Sequence, residues 1–114
     1  MITVLHASGL AMASYTSLSW DPDPNSVREL LTRPGNYEPM CEIDTDDPDQ
    51  ASRLTQNGVV TDSWTLFPPQ GLRPLIQPHL IDGRKYGHRS TSVGDVLRCE
   101  DGDYVVAPVG FVKI

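Results

Sequence analysis

The sequence predicts an α+β domain: a small, mostly antiparallel sheet with two short helices on one face, a long Pro-rich ordered loop and a C-terminal β-hairpin. Three observations carry this expectation. Asp23-Pro24 and Asp47-Pro48 each stand directly before an amphipathic run, which is the chemistry of a helix start. Asp101-Gly102 lies between two Val-containing stretches, a turn signal between paired strands. Four of the ten prolines, at positions 68, 69, 74 and 78, forbid a long helix in the middle of the chain.

Each element has its own reason. "MITVLH" opens with β-branched residues and reads as a strand, and "AMASYTSLSW" alternates weakly enough to be its partner across a Ser8-Gly9 turn. In "DPDPNSVRELLTRPG" Asp23 caps, Pro24 takes the first helical position and Ser26 with Glu29 has capping-box spacing. Val27, Leu30 and Leu31 share one face, and Pro34-Gly35 stops the helix. "YEPMCEI", residues 37–43, reads as a strand that Pro39 pushes toward a sheet edge or a strand start. Asp47 then caps a second helix, with Ala51 and Leu54 inward and Gly58 at its end. Residues 59–92 lose all periodicity, yet Trp64, Leu66, Phe67, Leu72, Leu75, Ile76, Leu80 and Ile81 make the stretch too apolar for a disordered linker. We expect a single domain, 1–114, with an irregular segment at about 61–92 that wraps the core or presents side chains to a partner. The tail, "RSTSVGDVLRCEDGDYVVAPVGFVKI", reads as a β-meander that completes the sheet.

Composition narrows the function classes. With 39% hydrophobic and 21% charged residues the chain is an ordinary globular protein. A net charge of −6 works against general nucleic-acid affinity. Two cysteines, Cys41 and Cys99, read as reduced, buried thiols rather than as a secreted disulfide scaffold. No Lys or Arg precedes the Ala11-Met12-Ala13 stretch, so a signal peptide is rejected, and no run has the length of a membrane span. A cytoplasmic protein without membrane contact is expected.

Chemical motifs are sparse. Asp46, Asp47 and Asp49 are placed to complement a helix dipole and lack the alternating ligands of a calcium loop. His79, Asp82 and His88 match no metal-ligand spacing, and the glycines of "GLRP", "GRKYG" and "SVGD" have no strand–loop–helix frame for phosphate. No metal and no cofactor is expected. A nucleophile would have to be Cys41 or Cys99 served by His6, His79 or His88, and no motif surrounds either thiol. "GRKYGHRSTS" combines Arg84, Lys85 and Arg89 with the ring of Tyr86, the composition of a nucleic-acid backbone contact.

The tail Arg89-Ser90-Thr91-Ser92-Val93-Gly94-Asp95-Val96, followed by Tyr104 and by Val109-Gly110-Phe111, resembles the ending of YodL-like small proteins of phages and conjugative elements. The middle is similar to a wider group of mobile-element proteins through Glu42-Ile43-Asp44, Arg53-Leu54-Thr55-Gln56-Asn57 and Trp64. The similarity spans residues 37–114 apart from an unmatched insertion at 67–79, and Gly94 stands where the relatives commonly carry Ser. It implies no catalytic residues. It implies an accessory protein of a phage or mobile element that binds host machinery, with inhibition of a host defence such as restriction or CRISPR as the sharper expectation. The leading reading is therefore a non-enzymatic module that binds a host protein through Trp64, Phe67, Leu75, Ile76, His79, Tyr86, His88 and Arg89. A nucleic-acid-binding domain using Arg84, Lys85, Tyr86 and Arg89 is the alternative, and a small Cys/His enzyme the third.

Overall fold

A computed structural model describes residues 1–9 and 23–114. Its frame is a six-stranded antiparallel sheet of β1 (Ile2–Ala7), β2 (Tyr37–Ile43), β3 (Leu72–Pro74), β6 (Val96–Cys99), β7 (Gly102–Val106) and β8 (Phe111–Lys113), in the order β3-β2-β1-β6-β7-β8. A separate hairpin pairs β4 (His79–Ile81) with β5 (Arg84–Tyr86). Among the described residues the helices are α1 (Pro24–Leu31) and α2 (Pro48–Leu54). The class is thus α+β with a C-terminal β-meander. The strand expected within "AMASYTSLSW" lies outside the described residues.

β1 is central because both of its faces are apolar. Ile2 and Val4 point into a cluster with Cys41, Ile43, Ala51, Leu54, Trp64 and Leu97. Leu5 points the other way, onto Val27, Val96 and Val105, as period-two alternation requires. Ala51 and Leu54 belong to α2 and Val27 to α1, so the helices cover opposite faces of the sheet. The expectation of two helices on one face is corrected here. Helical periodicity shows which side of a helix turns inward, but not which side of the sheet it meets.

Both caps form. Asp23 Oδ1 accepts from Asn25 N at 3.3 Å and Asp47 Oδ1 from Asp49 N at 3.0 Å, satisfying N–H groups that the first helical turn leaves free. The Ser26/Glu29 capping box does not form. With Pro24 as the first helical residue, Ser26 is already in the first turn and donates to Asp23 Oδ2 at 2.9 Å, while Glu29 pairs with Arg33 at 2.6 Å. Each helix ends before the glycine expected to stop it, at caps Thr32 and Thr55.

β2 lies inside the sheet, between β1 and β3. Pro39 is tolerated because β3 pairs only with Cys41–Ile43, leaving the Pro39 side of β2 unpaired there. Opposite Val4 and Leu5 the register jumps from Cys41 to Pro39, so Met40 is the extra residue of a bulge.

The segment at 61–92 is more regular than its prolines suggest. Its prolines fall beside the short strands or end them, and Asp82-Gly83 makes a two-residue turn with φ +50° and +78° between paired Ile81 and Arg84. Left-handed values at both central positions are those of a type I′ hairpin turn. In the C-terminal hairpin the loop is Glu100-Asp101 rather than Asp101-Gly102, because Cys99 pairs with Gly102, whose φ is +136°.

Candidate functional site

The R-S-T-S-V-G-D run closes a polar clasp. Asp95 has a side chain only 1% exposed. Its two oxygens accept four hydrogen bonds: Arg89 Nη1 to Oδ2 at 2.6 Å, Arg89 Nη2 to Oδ1 at 2.7 Å, Ala7 N to Oδ1 at 2.8 Å and Ser92 N to Oδ2 at 2.8 Å. A forked guanidinium and two backbone donors offset the desolvation that burying this carboxylate costs. The clasp ties the end of β1 to the start of β6. Arg89 is thereby committed to the fold.

A second set of side chains holds the strandless run before the clasp. Gln56 Nε2 donates to Thr91 O at 2.7 Å, Asn57 Nδ2 to His88 O at 2.9 Å and Trp64 Nε1 to Arg89 O at 2.9 Å. Asn57 Oδ1 in turn accepts from Trp64 N at 3.2 Å. The Thr-Gln-Asn run after α2, the tryptophan and the Arg-to-Asp run near the C-terminus therefore interlock. Their work is architectural, with amide side chains taking the place of a ladder strand.

His6 is sealed into this junction. Its Nε2 lies 2.9 Å from Thr91 Oγ1 and 3.8 Å from Asp95 Oδ2, with Trp64 edge-on at 6.0 Å between ring centroids. Burial pushes its pKa down to about 4; the Asp95 charge opposes this, while Arg89 and His88 reinforce it. The ring is neutral at pH 7. His88 donates from Nε2 to Gln77 O at 2.7 Å and from its buried backbone N–H to Thr65 Oγ1 at 3.0 Å, and its ring lies 4.0 Å from that of His79 at an interplanar angle of 47°.

An open depression of about 330 Å³ lies between this junction, β2 and the base of the β4–β5 hairpin. His6, Ala7, Ser8, Glu38, Met40, His79, His88 and Arg89 line it. Beyond it the hairpin projects with all six strand residues exposed. Leu80 is 72% exposed, Ile81 56% and Tyr86 46%, and Phe67 and Leu75 are 62% and 46% exposed.

The residues expected at an interface thus divide. Phe67, Leu75, His79 and Tyr86 are exposed, whereas Trp64 is fully buried, His88 is buried and Ile76 packs against the core. Trp64 cannot reach a partner, because burial of its ring and the bond from its indole N–H hold it inside. Of the basic set, Arg84, Lys85 and Tyr86 stand side by side on β5, and Arg89 faces inward onto Asp95. Leu80, Ile81 and Glu38 were not singled out by the sequence as site residues; "HLI-DG-RKY" was the available signal, two strand-forming triplets around a hairpin dipeptide.

Neither thiol is set up as a nucleophile. Burial, with the Glu42 charge adding, pushes Cys41 up to about 12, and burial with the carboxylates of Asp101 and Asp103 raises Cys99. Among the described residues no three His, Cys, Asp or Glu side chains gather as a metal site. Among the described residues no helix is long and apolar enough to cross a membrane. Compared with family models, curated proteins and solved structures, the chain matches none.

Proposed function

We propose that this chain is a non-enzymatic accessory module that acts by binding a protein, with the β4–β5 hairpin and the neighbouring Phe67 and Leu75 as its contact surface. One observation carries the reading: five large apolar side chains, Phe67, Leu75, Leu80, Ile81 and Tyr86, are exposed within a segment whose backbone is otherwise well anchored. A two-stranded hairpin gains little stability by itself, and exposed apolar surface of this kind is the raw material of an interface core. Arg84 and Lys85 at the hairpin add a basic rim to a chain of net charge −6, which favours a partner with an acidic margin. In the mobile-element setting that the sequence resemblance implies, the partner is a host protein, and inhibition of a host defence is the more specific form of the proposal.

The nucleic-acid reading rests on Arg84, Lys85 and Tyr86 adjoining on one strand. It is the weaker of the two, because Arg89 already has its carboxylate and two cations supply little phosphate affinity. Affinity capture from host lysate with the wild type and with a Leu80→Asp/Ile81→Asp double variant tests the choice. A protein retained by the wild type and lost with the double variant supports the hairpin as the contact. Equal retention by both refutes it. Salt-sensitive retention of RNA or DNA with no protein favours the nucleic-acid reading.

A further inference from the structure

We propose that the depression beside the His79–His88 pair is a binding site for a guanidinium group, supplied by an arginine side chain of the partner. The proposal rests on the protein-partner reading for the source of the group, but its chemistry follows from the lining alone. Of the charges around the depression, Arg89 is spent on Asp95 through two bonds of 2.6 and 2.7 Å. His6 is neutral at pH 7, since burial keeps its proton off until about pH 4. Glu38 remains: it lines the depression, is exposed, and its carboxylate makes no hydrogen bond or ion pair among the described residues. Among the described residues the site therefore offers one uncompensated negative charge, and an anionic ligand is disfavoured.

The remaining lining distinguishes among cations. Met40 and Ala7 are apolar and buried, and His79 adds an exposed imidazole whose ring centroid lies 4.0 Å from that of His88, the two planes inclined at 47°. A guanidinium is planar, weakly hydrated, stacks on flat rings and places two parallel N–H groups on a carboxylate. A lysine ammonium is a compact, strongly hydrated charge that gains little from ring stacking or from an apolar floor. A volume of about 330 Å³ accommodates the head group with the last methylenes of an arginine. The site adjoins the hairpin at His79, the first residue of β4, so one partner can engage both.

The test uses the full chain and N-acetyl-arginine amide, followed in ¹H–¹⁵N correlation spectra, with N-acetyl-lysine amide in parallel. The expected result is saturable shifts confined to Ala7, Ser8, Glu38, Met40 and His79, weaker with the lysine probe. Glu38→Gln, an exposed and nearly isosteric change, weakens arginine binding about tenfold or more, because a charge-assisted fork becomes a neutral contact. Absence of shifts, equal binding of both probes, or binding unchanged by Glu38→Gln overturns the proposal. A captured protein that is lost with the hairpin double variant yet retained by Glu38→Gln overturns the guanidinium site and leaves the hairpin reading standing. Arginine-probe binding with no hairpin-dependent capture does the reverse.

Discussion

Acidification should weaken this protein through His6. Its folded pKa is about 4, against 6.5 for a free imidazole. Above pH 6.5 the ring is neutral in both states and costs nothing. As pH falls below 6.5 the unfolded chain takes up a proton that the folded chain refuses, so unfolding is favoured until about pH 4, where the folded ring also protonates. His6 is only 4% exposed, so solvent screening removes little of the effect. Between pH 7 and pH 5 the linkage amounts to about 2 kcal/mol, and over the whole window to about 3 kcal/mol. That is a large fraction of the stability of a domain this size. Urea unfolding at pH 7, 6 and 5 for the wild type and His6→Gln measures it, since glutamine retains a group for Thr91 and carries no titrating proton. The two stability differences should diverge by about 2 kcal/mol across that range, the wild type losing more. Parallel pH profiles for the two proteins, or a His6 ring resonance titrating near 6.5, would refute the reasoning.

Other outcomes follow from the same framework. Arg89→Ala should lower stability by about 3 kcal/mol, because it leaves Asp95 buried with two of its four donors gone; a loss below about 0.5 kcal/mol by chemical denaturation would place the pair among ordinary surface bridges. Gly87→Ala should cost roughly 1–3 kcal/mol, because a Cβ there collides with Ser63 Oγ, and Ser63→Ala in the same chain should restore part of it. Gly83→Ala puts a side chain at φ +78° in the hairpin turn. It should cost about 1 kcal/mol and loosen amide protection in β4 and β5 before the main sheet. A thiol reagent should modify Cys41 only as fast as the protein opens, as its burial and raised pKa require; rapid modification would favour the Cys/His enzyme.

Much of the frame was legible because it is locally encoded. Asp23-Pro24 and Asp47-Pro48 announce α1 and α2 through the backbone chemistry of a first turn, whatever the rest of the chain does. The C-terminal Asp-Gly dipeptide announces its hairpin, with the loop one residue earlier because Gly102 joins the strand as a positive-φ residue. The helices' placement on opposite faces was not legible, since Val27 and Leu54 carry an inward direction but no label for the layer they meet. The β4–β5 hairpin went unread because prolines on its N-terminal side masked the same Asp-Gly signal at 82–83. The site depends on contacts between distant parts of the chain. Nothing local in "RSTSVGD" tells that Arg89 turns back onto Asp95 instead of facing solvent, and that single turn moves Arg89 from the expected interface set to the frame. Glu38 gains interest only once β2 is set beside His79.

The bond from His88 Nε2 to Gln77 O joins the chain just before β4 to the chain just after β5, so it works as a knot at the root of a finger. Residues 79–86 can be lengthened, shortened or repainted beyond that knot while the strands beneath keep their neighbours. Exchanging the fingertip leaves the palm untouched.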